Sequence, residues 1–261
     1  MILRPMNIPV RDWSGKRIWL VGASSGIGAA LARQALAQGA RVALSARRVD
    51  ALERVADSNS NALIVPLDVL DHDAWRRGYA DICSVFGDID LFLFCAADYR
   101  PERSWEVSDE AALHTVRTNL VSVYSALATV LPGMLANQAG GIALVASVAG
   151  YLGLPNASVY GPSKAALINL AEILYSDLHD KGINVYLINP GFVKTELTEK
   201  NSFVMPAIQT PEAAASAIWQ GIASGRFEIH FPQRFTRFIK LLQMLPYRCR
   251  FALFHRFLAV K

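Results

Sequence analysis

Cysteine is scarce in this chain of 261 residues, and its few thiols form no recognisable pattern. Cys83, Cys95 and Cys249 are odd in number, and they lie far apart without a CxxC pair or a histidine cluster. Disulfides and a structural zinc site both need paired or clustered thiols. We therefore expect three reduced thiols and no metal site.

Long apolar runs are also missing. No stretch reaches about 18 uninterrupted apolar residues, the usual minimum for a membrane span. The N-terminal segment MILRPMNIPVRDW lacks the apolar core and the small-residue cleavage site of a signal peptide. We therefore expect a cytoplasmic protein. Because 52% of the residues are hydrophobic and 18% are charged, the chain can bury a large core, and one domain is the simplest count.

Acidic residues are absent after Glu228, although the chain contains 22 of them. The net charge of +4 is therefore concentrated at the C-terminal end, and the remainder of the chain is slightly acidic. This distribution does not indicate a general nucleic-acid surface. The basic residues of the C-terminal segment are Arg234, Arg237, Lys240, Arg248, Arg250, Arg256 and Lys261.

Apolar segments of strand length alternate with segments of helical periodicity, which is the pattern of βαβ units in a parallel sheet covered on both faces. One doubly wound α/β sheet accounts for residues 14–232, so we predict a domain over 1–232. Strands are predicted at 17–22, 41–46, 62–67, 90–96, 141–147, 183–189 and 226–231. Helices are predicted near 27–38, 50–57, 71–86, 108–136, 158–181 and 211–224.

Residues 233–261 differ from the rest and are predicted to form a basic, amphipathic helical extension. One face of the first helix would carry Phe235, Phe238, Ile239, Leu242 and Leu245. Pro246 interrupts this pattern, which then resumes with Tyr247, Phe251, Phe254 and Leu258. Cationic amphipathic helices with aromatic residues are typical of peripheral contact with a membrane surface. A lid over a substrate cleft and a packing surface in an oligomer fit the same pattern.

The first predicted strand runs directly into the glycine-rich turn GASSGIG. Glycines at a tight turn from strand to helix let the backbone approach a pyrophosphate, and the free N–H groups of the helix point at that anion. The strand before and the helix after favour a dinucleotide site over glycines that merely permit a turn. The predicted contacts are Gly22, Ser24, Ser25, Gly26, Ile27 and Gly28.

The residue that contacts the cofactor's ribose is expected about 20 residues beyond these glycines, at the end of the second strand. An acidic residue there would repel a 2′-phosphate, but the sequence has Ala46 followed by Arg47 and Arg48. Guanidinium groups bind phosphate through bidentate charge-assisted bonds, so the sequence predicts NADP(H) rather than NAD(H). For Arg48, a solvated residue at a helix start is a comparable interpretation.

Five motifs occur in the order and spacing of the short-chain dehydrogenase/reductase family, which the chain resembles over residues 14–232. The resemblance implies a Rossmann-type sheet of seven strands in the order 3-2-1-4-5-6-7, flanked by helices. It also implies hydride transfer between a nicotinamide and a carbonyl or alcohol substrate, and a homodimer or homotetramer that pairs through the Tyr160 helix. The motifs are GASSGIG, Asn119 in VRTNLVSVY, Ser147 in LVASVAG, YGPSK with Tyr160 and Lys164, and NPGFVKT at 189–195.

The residue types at these positions suit that chemistry. Reduction of a ketone needs a proton donor beside the carbonyl, and a tyrosine of pKa about 10 exchanges protons poorly at neutral pH. Lys164 lies four residues after Tyr160, so its cation would favour the phenolate and lower that pKa. Ser147 ends the fifth predicted strand, where its hydroxyl can stabilise the developing alkoxide.

The resemblance implies further roles. Lys164 would also hold the nicotinamide ribose, and Asn119 would hold a water that relays protons to the lysine. Asp68 would lie near the adenine, and Thr195 would contact the carboxamide or a phosphate. Taken alone, Asn119 also fits a satisfied buried amide, and Asp68 fits a helix cap or loop acid. The remaining predicted cofactor contacts are Val69, Ala96, Pro190, Gly191 and Val193.

The loop over residues 196–209 would close over the substrate in this family, and its apolar content favours an apolar substrate. A second hypothesis is a regulatory or scaffold protein that binds the cofactor without turnover. The complete set of asparagine, serine, tyrosine and lysine argues against that hypothesis, because loss of chemistry would most simply appear there.

Two departures from the family pattern affect the first and fourth strands. Val21 stands where the family usually has threonine, and the residues from Phe94 to Ala97 stand where it usually has Asn-Asn-Ala-Gly. Polar groups at these positions ordinarily brace the two strands. We expect apolar packing to replace those hydrogen bonds, which is acceptable when both partners change together. Cys95 is then most simply a small buried hydrophobic residue.

Overall fold

Seven parallel strands form a single sheet in the computed structural model, which describes residues 4–201 and 203–257. They are β1 (Arg17–Val21), β2 (Arg41–Ser45), β3 (Ala62–Ile64), β4 (Leu91–Phe94), β5 (Gly140–Val145), β6 (Ile183–Pro190) and β7 (Glu228–Phe231). The strand order is β3-β2-β1-β4-β5-β6-β7. This doubly wound, Rossmann-type arrangement confirms the predicted fold.

Helices connect the strands and cover both faces of the sheet. They are α1 (Gly26–Ala37), α2 (Val49–Ala56), α3 (His72–Phe86), α4 (Asp109–Val116), α5 (Ser122–Asn137), α6 (Tyr160–Leu178), α7 (Pro211–Ala223), α8 (Gln233–Gln243) and α9 (Tyr247–Phe257). A π-helical turn, Arg117–Val121, joins α4 to α5, and short 3-10 turns follow β5, α6 and β6.

The sheet is buried on both faces because successive strand residues point in opposite directions. Ile18 and Leu20 of β1 pack in a core cluster with α1, α2 and α7. Trp19 and Val21 pack in a second cluster with α3, α5 and α6. The continuous apolar strand segments of the sequence are therefore explained by two separate cores, one on each side of the sheet.

The braces between β1 and β4 are apolar, as expected. Val21 and Phe94 are adjacent in the strand register and both are buried. The ring of Trp75 stacks on Phe94 with 6.4 Å between centroids. Beyond the strand ends, the backbone N–H of Cys95 still donates to the carbonyl of Val21 at 2.8 Å. Side-chain packing and main-chain bonds thus replace the side-chain hydrogen bonds usual in the family.

Several element boundaries differ from the predictions by one to three residues. Strand β3 ends at Ile64 instead of residue 67, although the backbone N–H of Leu67 still donates to the carbonyl of Ala46 at 3.1 Å. Helix α6 begins at Tyr160, two residues after the predicted start at Ser158. The ring of Pro162 would clash with the carbonyl of Ser158 inside a regular helix, so Ser158 stays outside it. The later start of α6 is therefore a local effect of proline.

The continuous helical stretch Asp109–Asn137 is long and apolar enough to cross a membrane by length and composition, with a mean hydropathy of 1.4. It packs on the sheet, where Val123, Ala126 and Val130 are buried in the second core cluster. A buried core helix can have the same length and composition, so these two properties alone do not indicate a membrane span. Tyr124 of α5 and Ile173 of α6 remain exposed, and pairing through these helices stays a prediction.

The C-terminal extension is helical as predicted, with Pro246 between α8 and α9. Ile239 and Leu242 of α8 are buried against Val148, Tyr151 and Leu152, which follow strand β5. The extension therefore packs on the body of the protein beside the segment that contains Ser147. Leu258 and Lys261, together with the side chains of Phe254 and Arg256, lie outside the described part of the extension.

Candidate active site

A cleft of about 820 Å³ lies at the carboxyl ends of the strands. This is the edge at which open parallel sheets bind ligands. Every predicted site residue lines it except Gly28 and Asn119. Those that do are Gly22, Ser24, Ser25, Gly26, Ile27, Arg47, Arg48, Asp68, Val69, Ala96, Ser147, Tyr160, Lys164, Pro190, Gly191, Val193 and Thr195.

The turn between β1 and α1 is too tight for side chains at its glycines. Gly22 has a φ of +87°, and a Cβ atom there would lie 2.5 Å from the backbone nitrogen of Ala96. A Cβ atom on Gly28 would lie 2.1 Å from the carbonyl oxygen of Gly22. Gly28 therefore does not line the cleft itself, but it lets α1 start close behind the turn.

The start of α1 has the features of an anion site. Ser25 is its N-cap and makes no side-chain cap hydrogen bond, and the first turn contains no acidic residue. The first backbone N–H groups of a helix attract anions. Thr195 comes from the loop after β6, and its Cγ2 would lie 2.8 Å from a Cβ atom on Gly26. The residues present therefore fit a pyrophosphate between the glycine turn and Thr195.

Arg47 and Arg48 are both exposed at the rim of the cleft. The guanidinium of Arg48 lies 3.2 Å from a carboxylate oxygen of Glu196 and 3.4 Å from the hydroxyl of Ser24. Arg48 is also the residue that precedes α2, so the structure leaves both interpretations of it open. Both arginines lie at the end of β2 and line the cleft.

Asp68 lies at the rim as predicted, and its carboxylate accepts a hydrogen bond from the backbone N–H of Leu70 at 3.0 Å. This local bond agrees with the alternative interpretation of Asp68 as an acidic residue that stabilises its own loop. Asp68 also lines the cleft together with Val69, and its place near the adenine stays a prediction.

Tyr160, Ser147 and Lys164 come together at the end of β5. Tyr160 is the first residue of α6, and Lys164 follows one turn later on the same helix. The ammonium of Lys164 lies 5.5 Å from the centroid of the Tyr160 ring. The hydroxyl of Ser147 lies near enough to the phenol of Tyr160 to lower the pKa of that phenol. The structure therefore joins the three residues into one polar cluster inside an apolar surround.

The prediction that Lys164 lowers the pKa of Tyr160 is wrong for this arrangement. Desolvation raises the pKa of the phenol, and the neighbouring Ser147 hydroxyl offsets only part of that effect. The ammonium of Lys164 instead donates to the carbonyl oxygen of Val145 at 2.9 Å. Spacing on a helix places the cation near the ring, but the buried setting determines the protonation state. Tyr160 is therefore held as a neutral phenol at neutral pH.

Lys164 is almost fully buried, and burial lowers its pKa from the ordinary 10.5 to about 8. Desolvation penalises the ammonium form, because Val145 offers it only a neutral carbonyl. A nearby lysine that exchanges its proton close to neutral pH is suited to resupply a tyrosine that has given up its own.

This buried lysine predicts a stability that depends on pH. The unfolded chain holds the lysine proton up to about pH 10.5 and the folded chain only to about 8, so the destabilisation decreases as pH rises between these values. At pH 7 it amounts to about 3 kcal/mol. Relative to Lys164→Met, the wild-type free energy of unfolding should therefore rise from pH 7 to 10, as urea titrations would show. An exposed control, Lys181→Met, should produce no such trend, and equal curves for wild type and Lys164→Met would contradict the assignment.

Asn119 is fully buried in the π-helical turn between α4 and α5. Its amide group accepts from the backbone N–H of Asp98 at 2.7 Å and donates to the carbonyl of Asp98 at 2.9 Å. It also donates to the hydroxyl of Ser163 on α6. Asn119 thus ties the loop after β4 to the helix of Tyr160, and its role in a proton relay stays a prediction. π-Turns are frequent at functional sites.

Sequence reasoning missed Tyr99. Its ring meets that of Tyr160 edge to face at 4.8 Å between centroids. Its hydroxyl donates to Asn201 at 2.6 Å, and its carbonyl accepts from the ammonium of Lys200 at 2.8 Å. Tyr99 therefore connects Tyr160 to the loop at 196–209. The signal in the sequence is weak, since it consists only of an aromatic residue shortly after a strand end.

A second missed group, here called the Glu228 cluster, surrounds the carboxylate of Glu228 on β7. Tyr151 and Asn189 donate hydrogen bonds to it, and Lys240 of α8 forms an ion pair with it. Burial opposes ionisation, yet these partners outweigh it and lower the pKa of Glu228. The cluster fastens α8 to the segment after Ser147. It joins residues that no local spacing relates.

Comparison with known proteins defines the class. A model of the short chain dehydrogenase family matches residues 16–203 of the chain. The match spans the glycine turn, the Ser147, Tyr160 and Lys164 cluster, and the loop after β6. The chain belongs to the short-chain dehydrogenase family of oxidoreductases.

Individual relatives agree with this membership. An uncharacterized oxidoreductase of Myxococcus xanthus is 32% identical over 239 residues, covering 90% of this chain and 94% of the relative. The 3-oxoacyl-[acyl-carrier-protein] reductase FabG of Escherichia coli is 29% identical over 188 residues, covering 72% of this chain and 77% of the relative. A crystal structure of a short-chain dehydrogenase/reductase from Burkholderia phymatum, in complex with NAD, superposes with a TM-score of 0.82 at 24% identity. It covers 89% of this chain and 94% of that chain.

Proposed function

We propose that this protein is an NADP(H)-dependent oxidoreductase that interconverts a carbonyl compound and its alcohol. The observation that carries the proposal is the meeting of Tyr160, Ser147 and Lys164 in the same cleft as the glycine turn. A proton donor, a hydroxyl for the developing oxyanion and a titrating cation are the groups that this reaction needs from the protein.

The residues of the cleft fit a nicotinamide dinucleotide, because the glycine turn leaves a cradle that a Cβ atom would fill. When bound, the cofactor supplies or accepts the hydride. The glycine turn and Thr195 would hold its phosphates, Asp68 would lie at its adenine end, and Lys164 would hold the nicotinamide ribose. Family membership and the NAD complex of the Burkholderia phymatum relative support this assignment.

The proton chemistry follows from the polar cluster. The oxygen of Ser147 accepts a hydrogen bond from the N–H of Ala149 at 3.1 Å, so its own hydrogen is free to point toward the cleft. That hydrogen stabilises negative charge on a carbonyl oxygen. Tyr160, kept neutral by burial, then donates its phenolic proton to the same oxygen. Lys164 can return a proton to the tyrosine because it titrates near pH 8.

The proposed preference for NADP(H) depends on Arg47 and Arg48, which lie at the end of β2, where a 2′-phosphate would bind. The variant Arg47→Ala/Arg48→Ala should lower kcat/KM for NADPH about 100-fold and change that for NADH little, because each charge-assisted pair contributes about tenfold. Steady-state kinetics with both cofactors measures the ratio. Arg54→Ala is the matched control, since this exposed arginine pairs with Asp50 on α2. If the ratio of kcat/KM for NADPH to that for NADH is unchanged in the double variant, the two arginines do not bind the 2′-phosphate.

Aromatic residues near the cleft favour an apolar carbonyl compound. Tyr99 lines the cleft and meets the ring of Tyr160 edge to face. Phe192 and Phe203 meet at 5.7 Å in the loop region after β6, next to residues that line the cleft. The FabG relative supports including 3-oxoacyl thioesters among the candidates. The test of the proposal is a paired NADPH and NADH assay across steroid, fatty-acyl, sugar and quinone carbonyls. Activity that disappears in Tyr160→Phe supports the proposal, and cofactor binding without any such activity supports a regulatory or scaffold protein instead.

A further inference from the structure

The C-terminal helices have apolar side chains that are not buried against the rest of the protein. The inner face of α8 is buried, because Ile239 and Leu242 lie in a core cluster and Phe235 and Leu245 pack beside them. A separate row of large apolar side chains remains in solvent. This row, here called the outer stripe, consists of Phe238, Leu241, Met244, Tyr247 and Phe251.

The outer stripe is exposed to an unusual degree. The exposed fractions of these residues are 56%, 61%, 82%, 68% and 52%, in chain order. Their numbers advance by three or four residues, so they follow one side of each helix. Single exposed apolar residues are ordinary, but a contiguous row of this size marks an interaction surface.

The charges beside the outer stripe are all positive. Arg234 and Arg237 lie one helical turn from Phe238 and Leu241, and Arg248 lies one turn from Phe251; all three arginines are exposed. The sequence contains no acidic residue after Glu228, and Glu228 itself forms an ion pair with Lys240. The partner that complements this surface is therefore apolar and anionic.

We infer that the outer stripe docks on the surface of a lipid bilayer that contains anionic headgroups. The apolar side chains would enter the boundary between headgroups and acyl chains, and the arginines would lie at the phosphates. A second copy of the chain is a poorer occupant. A symmetric contact would press the same arginines against each other, with no carboxylate in the segment to neutralise them.

Aromatic contacts connect helix α8 to the loop after β6, part of which lines the cleft. Phe235 of α8 contacts Phe192 at 5.9 Å between centroids, and Phe192 contacts Phe203 at 5.7 Å. Val204, next to Phe203, is 94% exposed. The docked helix thus packs against the loop that borders the cleft. If the proposed function holds, the substrate is a carbonyl compound dissolved in the bilayer.

Vesicle sedimentation of the full chain tests the docking. Wild-type protein should sediment with phosphatidylcholine vesicles that contain phosphatidylglycerol, and much less with phosphatidylcholine alone. The variant Phe238→Ser/Leu241→Ser/Met244→Ser should bind at least about tenfold less, because three buried apolar side chains are lost. The variant Arg234→Glu/Arg237→Glu/Arg248→Glu should lose the preference for anionic lipid, as should wild type at high salt.

The control variant removes an equal number of exposed apolar residues elsewhere, as Ile8→Ser/Leu70→Ser/Val85→Ser. It should bind vesicles like wild type, and circular dichroism verifies the fold of all variants. Absence of sedimentation, or equal sedimentation of the control and outer-stripe variants, overturns the inference. So does an outer-stripe variant that changes only the oligomeric mass, since the occupant would then be a second copy.

The test separates docking from catalysis. Tyr160→Phe should bind vesicles like wild type although it lacks turnover, so a failure of the proposed function leaves sedimentation intact. In wild type, vesicles should raise the rate with a bilayer-soluble ketone severalfold and leave a water-soluble ketone unaffected. Equal rates with and without vesicles for both substrates, alongside normal sedimentation, would overturn the link to the substrate while the docking stands.

Discussion

Replacing Tyr160 with phenylalanine is expected to lower kcat for carbonyl reduction by about three orders of magnitude. The Kd for NADPH should change less than about threefold, since loss of a group used only in the transition state spares ground-state binding. The half-buried phenol lies beside Ser147 and is held neutral, because desolvation raises its pKa. The substitution removes only the hydroxyl, which is the proposed proton donor, and the ring keeps its contacts with Tyr99 and Lys164. Stopped-flow hydride transfer and fluorescence titration of NADPH measure the two quantities separately.

The matched control is Tyr99→Phe. It removes a hydroxyl from the neighbouring ring and breaks the bond to Asn201, but it leaves the edge-to-face contact in place. Its kcat should stay within about tenfold of wild type, with the larger effect on KM, because the hydroxyl positions a loop and transfers no proton. Comparable losses of kcat in the two variants would mean that Tyr160 acts through packing and is not the acid.

Replacing Gly28 with alanine is expected to weaken NADPH binding at least about 100-fold and to destabilise the fold by about 2–3 kcal/mol. The added Cβ would meet the carbonyl oxygen of Gly22 at 2.1 Å. Backbone atoms cannot rotate away as a side chain does, so α1 must move relative to β1. That movement widens the turn that would hold the pyrophosphate. Calorimetric titration and urea unfolding measure the two effects.

Gly153→Ala is the control for this prediction. A Cβ atom at Gly153 would have no heavy atom within 4 Å, and its backbone φ lies outside the left-handed region. Its cofactor affinity and stability should match wild type. Normal NADPH binding in Gly28→Ala would contradict the proposal that the turn after β1 holds the cofactor.

The parts of the fold that were predictable from sequence are those that local patterns determine. The glycine turn is one case, since Gly22 and Gly26 have positive φ and Gly28 lies against the carbonyl oxygen of Gly22, which are all local requirements. The strands are another case, because a strand that is buried on both faces forms a continuous apolar segment that is easily recognised in the sequence. Boundaries were less certain, and Pro162 accounts for the start of α6 two residues later than predicted.

The features that escaped prediction depend on contacts between distant parts of the chain. Tyr99 and Asn201 meet although they are 102 residues apart. Spacing placed Lys164 beside Tyr160, but it did not reveal that the ammonium turns to Val145 or that burial dominates the pKa of the phenol. Likewise, periodicity identified the apolar side of α8, but only the packing separated the buried residues from the exposed Phe238.

The Glu228 cluster has a consequence for the order in which the chain can complete its fold. The carboxylate sits at the start of the last strand, and its cationic partner, Lys240, lies in a helix synthesised after that strand. Until α8 has left the ribosome, burial of this edge would enclose a charge with only neutral partners, which is unfavourable. The final strand therefore gains a stable place in the sheet only when the chain is nearly finished. A chain that ends before Lys240 would retain Ser147, Tyr160 and Lys164 and lack the cation that pairs with Glu228.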